Sequence, residues 1–207
     1  MKLLVATRST GKQREVRRLL ADLDIVFPDE AGVLESLAEA GLELHDSFAA
    51  NARAKAEFFA KQTGLPTVAD DSGLEVISLG GAPGVLSKRW AGVTGPDAVV
   101  DAANNAELLR RLRGAPENKR RARYRCVLVL YRTVKAFPET FEGSCTGRIL
   151  EEPQGTAGFG YDPLFWSDEL AKSFGDATAE EKDSVSHRAR AFAALRAALN
   201  PEMETGT

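Results

Sequence analysis

Cysteine, histidine, methionine and tryptophan are scarce in this 207-residue chain, with two of each, and these shortages narrow what it can be. Cys126 and Cys145 stand apart, with no CxxC pair and no histidine near either in sequence. Neither a zinc site nor a disulfide scaffold is indicated, and buried free thiols in a reducing cytoplasm are expected. Long apolar runs are also missing. Cys126–Tyr131 has six residues where a membrane span needs about 20, and the opening KLLVA is far too short for a signal-peptide apolar region. No membrane partner is expected. Positive charge is not in excess: 27 Lys and Arg face 30 Asp and Glu, for a net charge of -3. With no overall positive field, a nucleic-acid polymer is not an expected partner. Local clusters of Lys, Arg and backbone N–H groups would suit a small anionic ligand instead.

What is present is ordinary globular material, 43% apolar and 28% charged, with no repeat or low-complexity tract. The reading is one domain of two closely packed lobes over residues 1–200, with a flexible tail over 201–207. KLLVA reads as a buried strand, and Val16, Leu19, Leu20 and Leu23 recur at helical spacing after the polar turn TRSTGK. A short strand is expected over Asp24–Phe27, then loop with a helical turn around Val33–Ala40. Ser47 can cap a helix running to about Gln62, stopped by Gly64 and Pro66. Thr67–Ala69, DDSG and LEVISL read as strand, tight turn and strand. A third helix is expected from Asp97 to about Arg113. Arg121–Tyr131 alternates and then turns wholly apolar, as a strand passing from exposed to buried would. Val134–Glu142 and Thr146–Leu150 would pair with it as a meander, and the last helix would run from near Ser186 to Leu199. Alternating strands and helices around an antiparallel run predict an α/β fold whose mixed, partly antiparallel central sheet is flanked by helices.

Four segments carry candidate chemistry. A loop between a strand and a helix, as Thr7, Arg8, Ser9, Thr10, Gly11 and Lys12 would form, presents backbone N–H groups and a helix's positive end to an anion. It is not a Walker loop, which needs Gly and Ser or Thr where this chain has Ala6 and Gln13. In VADDSGLEV, neighbouring strand residues face opposite ways, so one of Asp70 and Asp71 would be catalytic and the other structural. Oxygen ligands of this kind suit Mg²⁺, or Mn²⁺ as a substitute, and a carboxylate beside a metal-held triphosphate can take a proton from water. The plainer alternative is a turn in which an Asp caps its own backbone. The other two segments are GFGYDP, whose glycines would let a backbone approach a flat ligand while Phe159 stacks on it, and EEKDSVSHR, which brings the donors Lys182, His187 and Arg188. For these the alternatives are core aromatics and solvated charges.

Taken in order, TRSTGK, SFAANARAKA, ADDSGLEV, GGAPGVLSKRWAG, GFGYDPLF and EEKDSVSHRARA resemble the RdgB-type inosine/xanthosine triphosphate pyrophosphatase family over residues 7–192. The resemblance implies a two-lobed mixed α/β fold with the active site in the cleft, a homodimer, and conversion of dITP, ITP and XTP to monophosphate and pyrophosphate. By position it makes Thr7–Lys12 a phosphate loop and Asp71 both metal ligand and general base. Lys12 and Lys55 would serve the triphosphate, and Ser72 a phosphate. Phe159, Gly160, Tyr161 and Asp162 would form the base pocket, with Lys182, His187 and Arg188. A donor from Arg188 or His187 to the purine 6-keto oxygen would reject adenine.

Three departures from the family pattern stand out. Ser9 replaces the usual Asn, and Ala50 replaces the Glu of Glu-Asn-Ala, removing one carboxylate. The remaining metal-ligand Glu falls on Glu43 by spacing to Phe48, although the wording around Glu39 is closer. The competing readings are a pyrophosphatase for other modified nucleotides, and a nucleotide-binding regulator of weakened catalysis.

Overall fold

The structure is a computed structural model that describes residues 2–199; the tail expected over 201–207 lies outside them. In chain order the elements are β1 (Leu3–Val5), α1 (Thr10–Leu19), β2 (Ile25–Val26), α2 (Phe48–Thr63), β3 (Thr67–Val76), α3 (Asp97–Arg111), β4 (Arg121–Tyr131), β5 (Glu139–Ile149), β6 (Phe165–Ser167), β7 (Lys172–Ser173), α4 (Ala179–Val185) and α5 (His187–Leu199). The strands form one seven-stranded sheet in the order β2-β1-β3-β4-β5-β6-β7. β1 is parallel to β2 and β3, whereas β5–β6 and β6–β7 are antiparallel. The expected mixed α/β fold is what the chain adopts.

The residues group into two compact units. The first takes 2–71, 126–143 and 188–199 of the described chain, and here both faces of the sheet are buried. Leu3, Val5, Val68, Cys126, Leu128 and Leu130 join Val16 and Leu20 of α1 and Ala191, Phe192 and Leu195 of α5 in one cluster. Leu4, Ala6, Ala69, Val129 and Tyr131 join Ala52, Ala56, Phe59 and Ala60 of α2 in the other. That double burial is why these strands read as continuous apolar runs.

The second unit takes 72–125 and 144–187. Its strands alternate: Arg121 and Arg123 are exposed while Ala122 and Tyr124 are buried, and Ser144 and Thr146 are exposed while Cys145 and Ile149 are buried. The buried positions form one core with Leu74, Leu108, Leu164, Phe165 and Phe174. Both cysteines are buried, and neither forms a disulfide. Among the described residues no helix is long and apolar enough to cross a membrane.

Two local expectations need correction, and two elements, β7 and α4, carried none. DDSG is not a turn: β3 runs straight through it, because pairing with β4 holds its backbone more firmly than an Asx turn would. The two strands expected over 134–142 and 146–150 are a single one, β5, since Gly143 and Cys145 keep its buried alternation. β7, two residues long, gave no readable pattern. α4 went unrecognised although Thr178 and Glu181 form a capping box at its start. Helix α2, by contrast, has the expected ends: Ser47 Oγ accepts from Ala50 N–H, and Gly64 stops it in the left-handed conformation at φ 69°.

Candidate active site

In the first unit, β1 delivers Thr7–Lys12 to the start of α1. Ser9 caps that helix by accepting from Lys12 N–H at 3.5 Å, with Thr10 and Gly11 in the first turn. β3 then separates the two aspartates by its pleat. Asp70 shares the face of Val68, toward the α1 and α5 cluster. There its Oδ2 lies 3.0 Å from Lys12 Nζ and 3.3 Å from an Arg188 guanidinium nitrogen. Arg188, only 2% exposed, is also bound to buried Glu15. Burial alone would raise the Asp70 pKa, but the charges of Lys12, Arg188 and Lys55 hold this carboxyl well below the ordinary range.

Asp71 shares the face of Ala69, toward α2. Its Oδ2 accepts from Asn51 Nδ2 at 2.9 Å, and its Oδ1 lies 3.8 Å from Lys55 Nζ. That ammonium also donates to Glu43 Oε1 at 2.5 Å and to the Asp70 carbonyl at 2.6 Å. Burial pushes the Asp71 carboxyl upward, and nearby Glu43 adds to the rise; the Lys55 and Lys12 charges and the Asn51 hydrogen bond only partly offset it. Glu43 is shifted down, chiefly by Lys55. For Lys55, burial works against the charge, but Glu43, Asp71 and Asp70 outweigh it and raise its pKa. Asp71 is thus a buried anion short of compensating charge, with a second carboxylate and two ammonium groups around it.

Glu39 does not join this group. Arg8 holds it in a bidentate pair, Nε to Oε2 at 2.7 Å and the second bond at 2.8 Å, and also binds Asp29 and the Val33 carbonyl. Arg8 therefore fastens the 29–39 segment. Among the described residues no three His, Cys, Asp or Glu side chains gather to hold a metal. The protein offers the pair Glu43 and Asp71, with Ala50 adding no carboxylate beside them. Hard oxygen donors in so small a number fit Mg²⁺, which keeps waters and takes most remaining ligands from substrate phosphates.

In the second unit, Ser72 is half-buried on β3, and the Gly158–Asp162 loop is organised around Asp162, which is 2% exposed. Its Oδ2 accepts from Phe159 N–H at 2.8 Å and from Lys182 Nζ at 2.5 Å, while Tyr124 OH reaches Oδ1 at 3.4 Å. Gly158, at φ 78°, has to be glycine, since a Cβ there would stand 2.0 Å from Asp162 Oδ2. Phe159 is half-buried, with Lys182 Nζ 5.1 Å from its ring centre. Tyr161 points into the core and donates to the Ser87 carbonyl at 2.8 Å. His187 stacks on Tyr124 with centroids 4.6 Å apart, its Nδ1 4.0 Å from Cys145 Sγ.

Lys12, Glu43, Lys55, Asp71 and Arg188 are thus gathered around β3 in one unit, and Phe159–Asp162, Lys182 and His187 around one loop in the other. Sequence reasoning missed Asn51, Glu15 and Tyr124. Asn51 was readable as an amide on the alanine-lined, buried face of α2. Glu15 reaches its partner Arg188 only across most of the chain.

Comparison with known proteins bears on what this arrangement does. Residues 3–198 match the sequence profile of the Ham1 family. A dITP/XTP pyrophosphatase of Yersinia pseudotuberculosis is 47% identical, over 96% of this chain and 98% of its own. A solved HAM1 protein of Coxiella burnetii superposes with a TM-score of 0.83 at 35% identity, covering 97% of this chain and 99% of that one. A crystal structure titled nucleoside-triphosphatase / dITP/XTP pyrophosphatase, from Mycobacterium abscessus, gives a TM-score of 0.72 at 41% identity, with 94% and 98% covered.

Proposed function

The chain belongs to the Ham1 family, and from that premise we propose that it hydrolyses non-canonical purine nucleoside triphosphates, dITP, ITP and XTP, to the monophosphate and pyrophosphate. The observation that carries the reading is the placement of Asp71: a buried carboxylate whose Oδ1 lies 3.8 Å from Lys55 Nζ, the ammonium that also binds Glu43. A carboxylate fixed beside groups that would hold phosphates is suited to general base work on a bound water. In the proposed step a water oxygen attacks the α-phosphorus and its proton passes to Asp71. The bond from α-phosphorus to the bridging oxygen breaks, and pyrophosphate leaves with that electron pair. Lys12 and Lys55 stand ready to balance the charge of the phosphates, with the Thr7–Lys12 backbone at the start of α1 and Ser72. Mg²⁺ would be held by Glu43 and Asp71, and when bound it neutralises triphosphate charge.

Phe159 supplies a face on which a base can stack, and Gly160, Tyr161 and Asp162 shape the loop beneath it. Lys182 is the donor at that loop, and His187, stacked on Tyr124, is proposed as the second. A donor to a 6-keto oxygen would meet adenine's 6-amino group donor to donor, at a cost of about 1–3 kcal/mol, roughly ten- to a hundredfold. Arg188, engaged by Glu15 and Asp70, enters this proposal as the residue that fixes Asp70. The family resemblance favours a homodimer, and with the two buried thiols it favours the cytoplasm. Phosphorus NMR of a dITP digest tests the reaction: dIMP with pyrophosphate is the expected product pair, and dIDP with orthophosphate would exclude attack at the α-phosphorus.

A further inference from the structure

Gly160 sits at φ 62°, yet a Cβ there would meet nothing within 4 Å. Glycine adopts this φ without strain, so the path of the loop is left to the groups that its backbone binds. Both of its backbone polar groups are tied to one helix: Gly160 N–H donates to Asp101 Oδ2 at 2.9 Å, and the Gly160 carbonyl accepts from Asn105 Nδ2 at 2.9 Å. Asp101 and Asn105 are four residues apart on α3 and so share a face. Asp101 is itself steadied by Lys88 Nζ at 2.9 Å. Asn105 makes its bond at a cost, since its Oδ1 is buried with no hydrogen-bond partner.

We propose that Asp101 and Asn105 are positioning residues that set the tilt of the Phe159–Asp162 loop through Gly160, and thereby control how well the base is held. This rests on the reading of that loop as the base site. Each residue acts through the loop backbone, so its loss weakens nucleotide binding without touching the triphosphate chemistry at Asp71.

The test is steady-state kinetics of purified full-length protein with dITP, alongside product inhibition by inorganic pyrophosphate, which lacks a base. Asp101→Ala and Asn105→Ala are expected to raise KM for dITP about tenfold, the worth of one hydrogen bond, with kcat within about threefold and pyrophosphate inhibition unchanged. Asp101→Asn keeps an acceptor for Gly160 N–H and is expected to restore the wild-type KM. Asn105→Asp, isosteric but without a donor, is expected to match Asn105→Ala and keeps the measurement available if alanine loosens the fold. An unchanged KM in the alanine and Asn105→Asp variants, or pyrophosphate inhibition weakening in step with KM, would overturn the inference. A wild-type protein that releases no pyrophosphate from dITP would instead overturn the functional reading beneath it.

Discussion

Asp70 and Asp71 are neighbours of identical chemistry, and the pleat of β3 gives them opposite tasks. Asp70 closes a buried charge network with Lys12, Arg188 and Glu15, and breaking such a network strands a buried cation, costing about 3–5 kcal/mol. Asp70→Asn is therefore expected to lower the melting temperature markedly. Asp71 behaves in the reverse sense. Its folded pKa is raised, so burying its charge opposes folding at neutral pH. Asp71→Asn is expected to abolish dITP hydrolysis while melting at or above the wild-type temperature, the pattern of a residue kept for function at the expense of stability. Calorimetry and a turnover assay on both variants check this, and equal destabilisation by the two would contradict it. Glu43 and Glu39 divide in the same way. Glu43→Gln is expected to raise the Mg²⁺ concentration for half-maximal rate by about tenfold or more, because Glu43 lies at Lys55 beside Asp71, whereas Glu39→Gln frees Arg8 and leaves the metal requirement unchanged. A metal titration of both variants decides it.

Among the elements, the loop at Gly158 is tightly constrained. A side chain there meets Asp162 at 2.0 Å and has to adopt φ 78°, which costs an L-residue about 1–2 kcal/mol. Gly158→Ala is expected to raise KM for dITP at least about tenfold, and an unaltered KM would show that the loop does not serve the base. The elements with strong local signals were legible in the sequence: the apolar run of β1, the capped and glycine-stopped α2, the change of pattern along β4. DDSG was not, because its local turn chemistry is overridden by strand neighbours that lie far off in the chain. The partners of Arg8 and Arg188 were hidden for the same reason. Both read as donors for a ligand, and both are held by acids, Glu39 and Glu15, that no local pattern links to them.

At the scale of the whole molecule, the chain builds two cores with different rules. One lies where the sheet is buried on both faces, beside the lysines of α1 and α2 and the aspartates of β3; the other lies where its strands alternate, around the Asp162 loop. This division explains why composition and periodicity gave the fold class while the chemistry needed motifs: apolar pattern specifies a core, but a nucleotide site is built from polar residues drawn from many segments. It also gives the central claim two halves, cleavage between the α- and β-phosphates and selection of a 6-keto purine. The most direct measurement of both is kcat/KM for pyrophosphate release from dITP, XTP and dATP under one condition. The account predicts pyrophosphate from dITP and XTP, with dATP poorer by about ten- to a hundredfold. Equal rates on dATP, or no pyrophosphate from dITP, would contradict it.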